Sequence, residues 1–307
     1  MQRIFSTYMY RNQPLTPVLL SEIAQAGIAS VEIFCGTFHF NYVAAQPVRE
    51  LAGSLAEYGL TLHALHAPNE RDTAPGRGSG VPISIADPER IRRQDAVDEI
   101  KRALEVAETI PFRFFTQDLA TGHQAADPRK FDAAFNSLEI LAVFAKHRGV
   151  TIALQNTPNE LGSPASLAQF VKDTHLHNLG FCFDIGHAHL EGGAEAGLHL
   201  MRDRVVTAHV HDNHGEKDEH LLPWEGTIDW DAALGDFANA PEPLPLVLEL
   251  KETAPGSPSL DQIRTAFDKL EKHLDEVHEH RRVGHRAMAR IEERKRLARG
   301  CAITLRA

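Results

Sequence analysis

Two apolar periods take turns along this chain. Ile4 to Tyr10 is a strand candidate, and Pro14 to Ala26 carries apolar residues at helical spacing before stopping at Gly27. Ser30 to Phe34 reads as strand, Pro47 to Tyr58 as a helix ending at Gly59, and Leu60 to His66 as strand. Pro88 to Glu108 is a long charged amphipathic helix, followed by strand over Phe112 to Gln117, helix over Pro128 to Arg148 and strand over Val150 to Gln155. Pro164 to Thr174 is helix, Gly180 to Asp184 strand, Ala194 to Met201 a short helix and Val205 to His211 strand. Trp230 to Ala238 is helix and Leu244 to Leu250 strand; a last helix starts at Leu260, reaches about Arg281 and continues or kinks at Gly284. Eight strands alternating with about eight helices predict an α/β fold with a parallel sheet. That many units in this length fit a (β/α)8 barrel, the TIM barrel, better than an open doubly wound sheet. No GxGxxG turn follows the first strand, which weakens a dinucleotide-binding reading.

Composition narrows this further. Of 307 residues, 43% are hydrophobic and 24% charged, so a soluble globular protein with an ample core is expected. No uninterrupted apolar run approaches the ~20 residues of a membrane span. The barrel is expected over residues 1–275, with a basic helical C-terminal extension over 276–307. Residues 281–307 hold nine Arg/Lys and two Glu, so this tail carries +7 and the rest of the chain −17 within a net charge of −10. An acidic body disfavours nucleic acid, whose binding depends on Lys and Arg at phosphates. The N-terminus lacks a signal-peptide pattern, and Cys35, Cys182 and Cys301 are widely spaced. A reduced, cytoplasmic setting is expected, with no cysteine zinc site.

The chemistry-bearing residues collect at predicted strand C-termini, where barrels place their sites. Strand two offers Glu32, strand three His63 and His66, strand four Gln117 and Asp118, and strand five Gln155 and Asn156. Strand six offers Asp184 and His187, strand seven His209, His211 and Asp212 with Asp218 and His220 in its loop, and strand eight Glu249. Gln155, Asp184, His209 and Glu249 come from four consecutive strands. Their oxygens and imidazole suit a divalent metal such as Mn, Mg, Co or Zn. His187, Asp218 and His220 form a candidate second site. Glu32, His66, Gln117 and His220 are candidate substrate contacts, and Trp224 a candidate sugar-stacking ring. Blander roles compete: Asp184 can cap a helix, and Lys251 can pair with Glu249.

Val31-Glu32-Ile33, Leu65-His66-Ala67-Pro68, Leu154-Gln155-Asn156, Phe183-Asp184-Ile185-Gly186-His187, His209-Val210-His211-Asp212-Asn213, Asp218-Glu219-His220 and Leu248-Glu249 together resemble the xylose isomerase-like TIM-barrel family. That family holds sugar isomerases, ketose epimerases and the abasic-DNA nuclease endonuclease IV. The resemblance implies a metal-dependent enzyme acting on a small sugar-like substrate, with a homo-oligomer common. It implies proton transfer beside a carbonyl, with Glu249 as base and His187, His211 or His220 as second group. Two departures stand out. The family's strand-five Glu is Gln155 here, a neutral amide that accepts no proton at pH 7, and Gln117 stands near a metal-binding His of the nuclease. The alternatives are a phosphodiesterase of the nuclease type acting on a small phosphoester, and a non-catalytic sugar-binding barrel.

Overall fold

The expected alternation is realised as a closed ring of eight parallel strands. The computed structural model describes residues 2–71, 80–119, 125–237, 244–252, 256–277 and 279. The strands are β1 (Ile4–Ser6), β2 (Ser30–Phe34), β3 (Thr61–His66), β4 (Phe114–Asp118), β5 (Thr151–Gln155), β6 (Leu179–Asp184), β7 (Val205–Val210) and β8 (Leu246–Leu248). Each lies beside its neighbours in sequence, and β8 pairs with β1 to close the ring at Ile4↔Val247 and Phe5↔Leu248. The major helices are α1 (Pro17–Gln25), α2 (Ala45–Tyr58), α3 (Arg90–Leu104), α4 (Pro128–Lys146), α5 (Pro164–Thr174), α6 (Ile185–Leu190), α7 (Ala194–Met201) and α8 (Trp230–Phe237). A further helix covers 260–277. Among the described residues no helix is long and apolar enough to cross a membrane.

Local sequence explains the boundaries. Thr16, Asp127 and Ser163 each accept a backbone N–H at a helix start, and each is followed by proline, whose missing N–H is no loss at that position. Gly59 ends α2 in the left-handed conformation, at φ 68°. The first strand is shorter than expected: Ser6 Oγ accepts the Tyr8 N–H and starts a 3-10 turn over Thr7–Tyr10. Helix α6 is an element the periodicity missed, since one and a half turns carry too little pattern to read. Within the long Asn69–Asp87 connection, Glu70–Arg71 pairs antiparallel with Val81–Pro82. Residues 72–79, and nearly all of the extension expected over 276–307, lie outside the described residues.

Strand side chains alternate between the barrel interior and the helices. Outward residues such as Phe5, Val31, Leu65, Phe115, Leu154 and Phe183 are buried under the helical layer. Burying one such side chain stabilises by roughly 1.5–3 kcal/mol. The inward positions near the strand C-termini are instead polar: Ser6, Glu32, His66, Thr116, Gln155, Asp184 and His209 are all buried. This interior gains nothing from burial unless its groups pair with each other or with a ligand.

Candidate metal centre and cavity

Asp184 serves two ends at once. As N-cap of α6 its Oδ1 accepts the His187 N–H at 2.8 Å, while its Oδ2 accepts from the Gln155 amide at 2.9 Å. The capping role expected as an alternative is therefore real, and it fixes the carboxylate where β5, β6 and β7 meet. Asn156 secures the same corner: its Oδ1 accepts the Asp184 N–H at 2.8 Å and its Nδ2 donates to the Asp184 carbonyl at 2.9 Å.

His209 is the hub. Its Nε2 faces Glu32 Oε1 at 3.0 Å, and its Nδ1 lies 3.3 Å from Glu249 Oε2 and 3.7 Å from Asp184 Oδ2. Nδ1 is buried and has no hydrogen-bond partner among the described residues. Glu32 thus holds the ring so that Nδ1 points at the two carboxylates, which is how an outer carboxylate orients a metal-binding histidine. Glu32 also accepts from Thr116 Oγ1 at 2.9 Å. Its expected role as a substrate contact is corrected: it is fully buried in the barrel and does not line the cavity.

A second cluster sits alongside. His187 Nε2 lies 3.4 Å from Asp218 Oδ1, and His220 Nε2 lies 3.0 Å from Asp218 Oδ2. His187, His211, Asp218 and His220 bring one donor atom each within 4.8 Å of one another. The other ring nitrogens are anchored on backbone carbonyls: His187 Nδ1 on Asn156 at 2.9 Å and His220 Nδ1 on Glu249 at 3.2 Å. Lys251 pairs with Asp218 at 3.0 Å, not with Glu249. His211 was expected as a catalytic group. It is fully buried behind the cavity, its ring stacked on His220 with centroids 3.8 Å apart and its Nε2 3.0 Å from Asp184 Oδ1.

The electrostatics follow from burying so many charges together. Burial alone would raise the Asp184 carboxyl, but His187 and His211 outweigh it and hold Asp184 well below the usual carboxylate range. Glu249 is likewise pushed up by burial and pulled further down by His209 and His220. Burial disfavours a charged His187, yet Asp184 and Asp218 overcome that and lift it to about 10. Carboxylates and histidines therefore neutralise one another, and a bound cation would take the place of protons on the imidazoles. The donors fit a divalent ion: carboxylate oxygens and imidazole nitrogens, no thiolate, gathered as Glu32–His209–Glu249 and Asp184–His211–Glu249, with buried nitrogens on His209 and His211 that have no hydrogen-bond partner among the described residues.

These groups sit at a cavity of about 590 Å³, lined by Tyr8, His66, Asp118, Gln155, His187, His220 and Glu249 among others. His66 Nδ1 faces the Ala67 carbonyl at 3.0 Å and its Nε2 faces Gln155 Oε1 at 3.1 Å. Gln155 thus meets Asp184 with its N–H, not with the carbonyl oxygen expected of a ligand. Gln117 is also corrected. It neighbours inward-facing Thr116 and Asp118, so it points outward, where its Nε2 donates to the Asp118 carbonyl at 2.7 Å. The strand-four residue at the mouth is Asp118. Both His63 and His66 point inward although three residues apart, because the register shift opposite Val31/Glu32 adds one residue to β3.

Trp224 does not reach the cavity. Its ring packs on Trp230 at 5.3 Å and under Lys269 at 4.1 Å, on the face shared with the 260–277 helix. It also holds φ 69°, a backbone state that favours glycine. The loop is pinned there by Asp212, which accepts from the Asn213, Trp224 and Ile228 N–H groups and from Trp230 Nε1.

Gly186 is required by packing: a Cβ there would overlap the His211 ring. Gly186→Ala is expected to destabilise the protein by about 1–3 kcal/mol and to disturb His211. A wild-type melting temperature for this variant would show that the histidine stack has room this geometry denies.

The description "Xylose isomerase-like TIM barrel" belongs to a family model that matches residues 20–273. The uncharacterized protein y4fM of Sinorhizobium fredii is 29% identical over 198 residues, which is 58% of this chain and 62% of y4fM. The chain thus spans under two thirds of that relative's length. A D-tagatose 3-epimerase-like protein superposes with a TM-score of 0.74 at 23% identity, covering 91% of this chain and 99% of that one. A xylose isomerase-like TIM-barrel protein of Mycobacterium smegmatis in complex with magnesium superposes with a TM-score of 0.70 at 12% identity, over 90% of this chain and 97% of the other. At these identities the structural likeness carries the fold.

Proposed function

The chain belongs to the xylose isomerase-like TIM-barrel family, and on that premise we propose that it is a divalent-metal-dependent isomerase or epimerase of a sugar or related polyhydroxy carbonyl compound. The observation that carries this reading is His209 Nδ1, without a hydrogen-bond partner among the described residues, 3.3 Å from Glu249 and 3.7 Å from Asp184, beside a cavity with room for a sugar. Asp184, His209 and Glu249 would hold the ion. Bound there, it would polarise the substrate's C=O and adjacent hydroxyl and acidify the neighbouring C–H. Glu249, kept ionised by His209, takes that proton. Glu32 keeps His209 oriented throughout, and Asn156 keeps Asp184 in place. His66 and His220 line the cavity, where they would contact substrate hydroxyls.

A second reading draws on the four-donor group of His187, His211, Asp218 and His220. Two filled sites would suit hydrolysis of a small phosphoester, since paired ions clamp attacking and leaving oxygens. Gln155 weakens that reading, because it offers no anionic bridge between two ions. Titration of metal-free protein with Mn²⁺ separates the two. One ion per chain is expected, with Asp184→Ala losing it. Two ions at comparable affinity would favour the hydrolase, and no binding at all would end both.

A further inference from the structure

We propose that Asp118 is the second proton carrier of this active site, acting as an acid across the mouth from Glu249. The inference rests on the isomerase or epimerase reading and names the group that reading lacks.

Three observations carry it. Asp118 ends β4 and faces inward with Thr116. It lines the same cavity as Glu249. It is 8% exposed, and its Oδ1 has no hydrogen-bond partner among the described residues. Every other carboxylate on that wall is otherwise engaged or remote. Asp218 is bracketed by His187, His220 and Lys251, and Glu191 and Glu216 lie exposed at the rim. Of the three histidines considered for the second role, His187 and His220 are turned to Asp218, and His211 does not line the cavity.

Position supplies the rest. In a ring of eight strands, β4 and β8 are four apart, so Asp118 and Glu249 stand on opposite sides of the mouth. A carbon between them is open to one carboxyl on each face. A buried carboxyl with an unpaired oxygen favours its neutral, proton-bearing form. The step balances as follows. Glu249 takes the proton from the carbon beside the carbonyl; the C–H electron pair becomes a C=C bond and the carbonyl π pair moves onto oxygen, giving an enediolate. Asp118 then gives its proton to the opposite face, where the C=C pair forms the new C–H bond, and a pair on oxygen re-forms C=O. Glu249 ends protonated and Asp118 ionised, and exchange with water resets both. The product is the epimer at that carbon.

The test uses the full chain loaded with Mg²⁺ in D₂O, with D-tagatose, D-fructose, D-psicose and L-ribulose as probes. Mass spectrometry reads deuterium in the recovered sugar, and chromatography reads the epimer. Asp118→Asn should lower epimer formation by at least about 10²-fold while deuterium wash-in through Glu249 stays within about threefold. Mg²⁺ affinity and melting temperature of the variant should match wild type. Epimer formation at the wild-type rate in Asp118→Asn would overturn this inference alone. So would a wild type that makes only the aldose, and so would a variant that loses wash-in, metal and stability together. A wild type that exchanges no hydrogen with any of the four sugars would overturn the isomerase reading and this inference with it.

Discussion

Glu249→Gln is expected to reduce hydrogen exchange at the carbon beside the carbonyl by about 10³–10⁴-fold. Glutamine keeps the shape and can still accept from Ser6 Oγ, which lies 3.4 Å from Glu249 Oε1. It loses the charge facing His209 Nδ1 and the basic oxygen that takes the proton. Because the same carboxylate is a proposed ligand, metal affinity should fall as well. The barrel should still fold, since Glu32 remains to pair with His209. Deuterium wash-in from D₂O, measured with Mg²⁺ held well above the variant's dissociation constant, separates the two losses. Wash-in at the wild-type rate under those conditions would remove Glu249 from the chemistry.

The elements were legible where a residue type changes the backbone rule. Proline after a capping Asp or Ser marked the starts of α4 and α5, and Gly59 marked the end of α2, whereas α1 begins at Pro17, three residues after the expected Pro14. The strand-end cluster was legible for a related reason: Asp184, His209 and Glu249 are polar residues at the close of apolar runs, where the core has no use for them. What failed was facing. Every residue of β4 is buried, so polarity does not say which side is inward. With the strand ended one residue early, Gln117 took the place that belongs to Asp118. Glu32 failed differently: its strand end was right, but the orienting contact to His209 spans 177 residues and has no local signal. Trp224 was misread because a ring beside the strand-seven loop can turn either to the mouth or to the 260–277 helix, and Asp212 settles that through the loop backbone.

The site's polarity has a structural consequence for stability. Asp184, Glu32, His209 and His211 are each 0% exposed, so removing one charge strands its partners in a medium that solvates them poorly. Breaking a buried pair in this way costs about 3–5 kcal/mol. The cluster is thus held by mutual neutralisation, and its composition cannot drift one residue at a time without a penalty. A neutral Gln155 beside Asp184 is consistent with that balance, because it donates to a carboxylate already shared by three histidines.

Gln155→Glu disturbs this balance and should split the metal-free and metal-loaded proteins. The Gln155 amide donates to Asp184 Oδ2 at 2.9 Å, and its Oε1 meets His66 Nε2 at 3.1 Å. A carboxylate keeps the His66 contact and replaces the other with a like charge. Two such charges at about 4 Å repel by about 4 kcal/mol at an effective dielectric of about 20. Metal-free Gln155→Glu should therefore melt well below wild type, or hold an extra proton between the two carboxyls. A divalent cation removes the repulsion and gains an anionic ligand. Mg²⁺ affinity should rise by about 10²-fold, or about 2.8 kcal/mol, and the melting temperature should recover on loading. The epimerisation rate distinguishes what the cavity lacked. If Asp118 already serves the second face, the new glutamate adds a redundant base, and the rate should change by no more than about threefold. A rise of 10²-fold or more would mean that strand five was where the missing proton carrier belonged. Unchanged metal affinity would mean that residue 155 does not face the ion.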